Sequence, residues 1–196
     1  MTIAPGTAAS HRTIALLRGI NVGGKNKLPM AELRAVCEEL GFRDVKTYIA
    51  SGNLFFTSDM SPAEDGIRLK TAIAERWGYD VPVVTRLRED VLAVRDGNPF
   101  GVPAEDRWLH VLFLNRDPQL GPQGLMDPAG VAAVRGLDPE REPGDRFAVV
   151  GRHIYALYAN GSGRSRLTGS WLERQLKVTA TARNWRTVQK LIALSE

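Results

Sequence analysis

Short β-rich runs alternate with stretches of helical periodicity in one order, and that order limits the chain more than any single motif. Residues 13–18 form an apolar run of strand length, after which Met30, Leu33, Cys37 and Leu40 recur at helical spacing. Pro29 suits a first helical turn and Gly41 a stop. Residues 45–50 and 54–57 are β-rich and flank Ser51, Gly52 and Asn53, whose chemistry suits a hairpin turn. Ser61 and Glu64 then form a capping box around Pro62, with Leu69, Ala72, Ile73 and Trp77 as an apolar stripe ending before Gly78. Residues 81–85 close the unit as a strand.

The order is β-α-β-β-α-β over residues 13–86, that of a ferredoxin-like sandwich. Residues 1–12 lack periodicity and read as a disordered leader. Residues 87–106 read as a connector, with a short helix over 89–96 stopped by Gly97 and turn signals at Asn98, Pro99, Phe100, Gly101 and Pro103. The same order then recurs: strand 108–114, helix 128–137, hairpin 147–150 with 153–158, helix 167–176 and strand 178–182. A final helix follows, with Asn184 as its cap. The expected fold is therefore α/β (α+β), two tandem ferredoxin-like βαββαβ units with antiparallel or mixed sheets, the second covering residues 107–196. Residues 115–127, rich in Gly and Pro, are the least predictable loop.

Composition narrows the functional classes. The 196 residues are 43% hydrophobic and 24% charged, enough to bury a core. The net charge of +4 permits an anionic partner without demanding one. The longest apolar run near the start, residues 14–17, is far short of a signal-peptide core, so a cytoplasmic protein without membrane attachment is expected. Cys37 is the single cysteine and shares a helical stripe with Leu33, Val36 and Leu40, so it reads as a buried packing residue. His11, His110 and His153 lack partners at ligand spacing; no metal or cofactor is expected.

Three places could carry chemistry. Residues 19–25 satisfy G-x-x-x-x-G-K between a strand and a helix, but Asn26 stands where Mg²⁺ coordination needs a hydroxyl, and Pro29 delays the helix. Nucleoside-triphosphate hydrolysis is thereby disfavoured. What survives is a loop whose Gly23 and Gly24 leave amides open while Arg18, Lys25 and Lys27 offer positive charge, with Asn21 alongside. The second place is residues 164–190, where Arg164, Arg166, Arg174, Lys177, Arg183, Arg186 and Lys190 face the single acid Glu173. Trp171 and Trp185 lie within it as base-stacking candidates or core residues. The third, Ser51-Gly52-Asn53, lacks the glycines of a nucleophile elbow, and turn formation is its default reading. No pair of carboxylates is evidently aimed at one substrate, and the aromatic octapeptide of an RNA-recognition motif is absent.

Leu17-Arg18-Gly19-Ile20-Asn21-Val22-Gly23-Gly24, Thr47-Tyr48-Ile49-Ala50-Ser51-Gly52-Asn53 and Thr181-Ala182-Arg183-Asn184-Trp185-Arg186-Thr187-Val188, joined by Asn98-Pro99-Phe100 and Leu167-Thr168, give the chain its resemblance to one family. It resembles the bacterial domain of unknown function 1697 family. That resemblance implies an α/β fold with ferredoxin-like halves and supplies no mechanism. Its polar motif residues, Arg18, Asn21, Lys25, Ser51, Asn53, Arg183 and Asn184, join Gly23, Gly24, Lys27, Arg166 and Arg186 as the candidate ligand-binding set. The expectation is a module binding a phosphate-bearing ligand, nucleic acid or nucleotide. The alternatives are a small enzyme acting on a phosphorylated metabolite, with Asn21 and Ser51 as positioning groups, and a scaffolding partner.

Overall fold

The computed structural model describes residues 10–103 and 105–196. Most of the expected leader, residues 1–9, lies outside them, but its last part does not: the first strand begins at His11 and takes in Arg12. The chain divides into two compact units, the first ending at Asp90 and the second running from Val91 to Leu194. Together the described residues form six helices and two four-stranded antiparallel sheets, a mixed α/β architecture. No helix is long and apolar enough to cross a membrane among the described residues.

In the first unit, β1 (His11–Leu17), α1 (Met30–Glu39), β2 (Arg43–Tyr48), β3 (Asn53–Ser58), α2 (Pro62–Trp77) and β4 (Val83–Leu87) follow in turn, and the strands lie in the order β2-β3-β1-β4. Alternation along the strands divides the sheet's residues between two faces. Ala15, Leu17, Leu54 and Phe56 meet Leu33 and Cys37 of α1 and Leu69 and Ile73 of α2 in one buried cluster. Each of these Leu, Ile and Phe side chains removed from water contributes roughly 1.5–3 kcal/mol. Phe42 stacks on Phe56 at 4.1 Å, with the Arg68 guanidinium 5.3 Å from the Phe42 ring. The Ser61–Glu64 capping box forms, Pro62 starts α2, and Gly78 ends it at φ 73°. Pro29, expected inside the first turn of α1, stands one residue earlier, at the cap position, where it makes no side-chain hydrogen bond. Cys37 is fully buried, and burial pushes its thiol up to about 12, which removes its nucleophilic form.

The second unit repeats the order with α3 (Arg88–Asp96) leading in, then β5 (Leu109–Leu114), α4 (Pro128–Arg135), β6 (Arg146–Val150), β7 (His153–Leu157), α5 (Gly169–Leu176), β8 (Ala180–Asn184) and α6 (Trp185–Leu194). Its strands lie in the order β6-β7-β5-β8. Leu112, Leu114, Ile154 and Ala156 pack against Trp171, Leu172 and Leu176 of α5. Both tryptophans of the basic segment are core residues, Trp171 at 8% exposure and Trp185 at 3%.

Along the central strands the two units correspond residue by residue, a match invisible in the sequence. The Leu17 N–H donates to Gly52 O, as Leu114 does to Arg152 O. Arg18 donates to Pro82 O, as Asn115 does to Thr179 O. Ile14 pairs with Phe55 and Arg86 just as Val111 pairs with Tyr155 and Arg183. The helix starts are tied at the same pair of positions with the roles exchanged, since the Asp90 side chain accepts from Leu87 N whereas the Asn184 side chain accepts from Thr187 N.

Candidate functional site

The chain from Arg18 to Pro29 leaves the end of β1 and returns to α1 through a loop held by its own asparagines. Asn21 Nδ2 donates to Leu28 O and Ala50 O, both at 2.9 Å, and Leu28 N donates back to Asn21 Oδ1 at 2.9 Å. Asn26 Nδ2 donates to Gly19 O at 3.0 Å. Gly19, Asn21, Gly23, Gly24 and Asn26 all have positive φ, a backbone that glycine and asparagine adopt at least cost. The asparagine expected to meet a ligand is thus spent on fixing the loop and tying it to the 49–52 turn.

Across that turn, Gly52 packs where no side chain fits. With φ at 85°, an added Cβ would lie 2.6 Å from Leu17 Cβ and 3.0 Å from Ile20 Cδ1. Asn53 is fully buried and donates through Nδ2 to Tyr48 O at 3.0 Å and Ser51 Oγ at 3.3 Å. It too is a structural residue. Arg18, Asn21, Gly23, Gly24, Lys25, Lys27 and Ser51 are thereby gathered at one end of the first sheet.

What remains to meet a ligand is the loop's exterior. Val22, Gly23, Gly24, Lys25 and Lys27 are exposed, and a Cβ at Gly23 or Gly24 would meet nothing within 4 Å. Lys25 N donates to Val22 O and Asn21 N to Asn26 O, while the amides of Gly23 and Gly24 find no acceptor among the described residues. Three cations and no acid stand between residues 18 and 29. α1 begins only at Met30, five residues after Lys25, so Lys25 does not open the helix as the lysine of a nucleotide-hydrolysing P-loop does. His11 is at the opposite end of β1, so no imidazole base serves Ser51 from that strand. Such a surface offers positive charge and open amides to a negatively charged group.

The candidate residues of the second unit do not share one place. Glu142 Oε2 accepts from Arg166 N at 3.1 Å and Arg166 Nε at 3.0 Å, and these bonds hold the Glu142 carboxyl below its ordinary range. Arg183 is buried in β8, donating through Nη1 to Thr181 Oγ1 at 2.8 Å and Ala182 O at 2.9 Å, and burial pushes its guanidinium down to about 10. Asn184 caps α6. Arg186 is exposed at a cleft it shares with Glu105, Asp106 and Arg107. Arg166, through Glu142, stands toward the β6 edge of the sheet and Arg186 beyond the β8 edge, so the run of seven basic residues is not one continuous surface.

Sequence reasoning passed over a cleft of about 920 Å³. It is lined by the 115–127 segment and the β6–β7 turn, including Asp117, Leu120, Pro122, Asp127, Gly151 and Arg152. Only its density of glycine, proline and aspartate could have marked it in advance.

The sequence profile of the family described as "Protein of unknown function (DUF1697)" matches residues 11–155. Among solved structures, the conserved bacterial protein SP0830 from Streptococcus pneumoniae is similar, at 28% identity and a TM-score of 0.68 over 96% of this chain and 100% of that one. No curated protein matches.

Proposed function

Because the chain belongs to the DUF1697 family, whose function is unknown, we propose an activity from the site itself: the protein binds a phosphate-bearing ligand at the loop between β1 and α1. The exposed amides of Gly23 and Gly24 receive phosphate oxygens, Lys25 and Lys27 supply the charge, and Arg18 and Ser51 border the site. Asn21 and Asn53 hold its shape. The observation that carries this reading is the pair of exposed glycine amides without acceptors among the described residues, in a loop whose shape is held by the side chains of Asn21 and Asn26. Preorganised donors of this kind bind anions with little ordering cost. Arg166 is held by Glu142, Arg183 is buried in β8 and Asn184 caps α6, and none of them is assigned to this loop.

The architecture we assign to each unit is a ferredoxin-like βαββαβ sandwich, supported by the strand orders β2-β3-β1-β4 and β6-β7-β5-β8. In that fold both crossovers pack their helices on one sheet face, which leaves the β1–α1 loop at a sheet end.

A fluorescein-labelled single-stranded oligonucleotide and ADP, each titrated at low and high salt, test the reading. Raising KCl from about 50 to about 300 mM should weaken oligonucleotide binding by roughly ten- to fortyfold if two to three cations contact phosphates. Lys25→Ala with Lys27→Ala should lower the affinity at low salt and flatten the salt slope. Stronger binding of ADP than of the oligonucleotide would identify a nucleotide as the ligand. Binding indifferent to salt, or unchanged in the double variant, would reject the site.

A further inference from the structure

The segment that answers to the β1–α1 loop in the second unit runs from Asn115 to Asp127, and it is built for a different charge. Arg116 does not face a ligand. Its guanidinium donates to Asp117 O, Leu120 O, Leu176 O and Lys177 O at 3.1–3.5 Å, serving carbonyls that the end of α5 leaves without helical partners. Asn115 Oδ1 accepts from Thr179 N. Asp127 N donates to Gln119 O and Gly121 N to Leu125 O, which closes the segment into a small hairpin. Gly130 brings α4 so near that an added Cβ would overlap Pro118 O. The cleft of about 920 Å³ therefore has fixed walls.

Two carboxylates open into it, each half used. Asp117 Oδ1 accepts from Gln119 N at 2.8 Å and Asp127 Oδ1 from Ala129 N at 3.1 Å. The second oxygen of each finds no hydrogen bond among the described residues. Gly151 keeps the approach to Asp117 open, since a Cβ there would stand 3.8 Å from Asp117 Oδ2. Leu120 and Pro122 supply an apolar wall, and Arg152 stands in the lining as well.

We propose that this cleft is a second binding site, one that takes the ammonium or guanidinium group of a small organic molecule. Asp117 Oδ2 and Asp127 Oδ2 accept its N–H groups, and its hydrocarbon part lies on Leu120 and Pro122. Charge-assisted bonds to two carboxylates favour a cationic nitrogen over a neutral donor. The volume suits a metabolite and is within the usual range of small-ligand sites. No third carboxylate, histidine or cysteine joins the two acids among the described residues, which disfavours a bare metal ion and favours an organic ligand.

Cadaverine and L-arginine are the probes, titrated separately into ¹⁵N-labelled protein at matched ionic strength with inorganic phosphate as the control. At least one should cause saturable shifts of the Gly121, Gly124, Gly151 and Asp127 amides by about 10 mM, an affinity ordinary for small ligands. Asp117→Asn with Asp127→Asn keeps both Oδ1 acceptors and the α4 cap, and should weaken the response at least about tenfold. The absence of saturable shifts with both probes in the wild-type protein would overturn the proposal, whatever the variant does. So would a larger response of the same amides to phosphate, or an unchanged response in the double variant.

Discussion

The loop after β1 and the loop after β5 leave equivalent strands through equivalent hydrogen bonds, yet they have diverged in chemistry. The first has three cations and no acid; the second has one arginine and two aspartates. The first is held by asparagine side chains and projects its glycines outward. The second is held by an arginine that reaches α5, and it folds around a cleft. The lesson is that the sheet end is a mounting point whose geometry persists, while the charge and shape mounted on it are free to change.

Replacing the glycine of each turn should separate the units most strongly, although the two glycines stand at neighbouring positions, since Gly52 answers to Arg152. Gly52→Ala combines a left-handed backbone with overlap on Leu17 and Ile20 and should cost about 3 kcal/mol or more. Gly151→Ala meets only an ordinary contact and should cost about 1 kcal/mol. Urea denaturation of both variants measures the gap; equal losses would mean that the two turns are packed alike.

A smaller difference should separate the two anchoring asparagines. Asn21→Ala removes three hydrogen bonds and leaves alanine at φ 54°, so a loss of about 2 kcal/mol is expected. Asn115→Ala removes one side-chain bond, from Thr179 N, with an expected loss of about 0.5–1 kcal/mol. Denaturant midpoints of the two variants give the ranking directly.

The smallest effect concerns a buried charge that only the first unit carries. Asp65 is fully buried at the fourth position of α2, where α5 has Leu172. Its carboxylate accepts from Ser58 Oγ at 2.7 Å and Thr13 Oγ1 at 3.3 Å. Burial raises its pKa, opposed by these two hydroxyls and more weakly by His11 and Arg68. The folded state therefore holds this proton at pH values where the unfolded chain has released it, and stability falls as pH rises through that window. Asp65→Asn lacks this component, so its melting temperature should gain on the wild type from about pH 4 upward and then run parallel to it. A constant difference from pH 3.5 to 7 would contradict the assignment.

Periodicity and capping made much of the fold legible: the order of elements, the Ser61–Glu64 box, the Asn184 cap and the burial of Cys37 are local properties that short windows of sequence contain. The start of β1 at His11 was not legible, because its pairing of His11 with Ser58 is a long-range register without a local signal. Charge counting placed Arg183 on a basic surface, whereas alternation along β8 turns it inward; a count of charges carries no direction. Asn21 looked like a ligand contact because polar loop residues attract that reading, yet its partners Leu28 and Ala50 become visible only once the chain has folded. The 115–127 cleft escaped because its shape depends on Arg116 meeting carbonyls about sixty residues further along.

Adding inorganic pyrophosphate to ¹⁵N-labelled protein and following the glycine amides tests the anion site most directly. The account predicts saturable shifts at Gly23 and Gly24, lost with Lys25→Ala and Lys27→Ala combined, while Gly121 and Gly124 stay in place. Movement of Gly121 and Gly124 with Gly23 and Gly24 unchanged would contradict it.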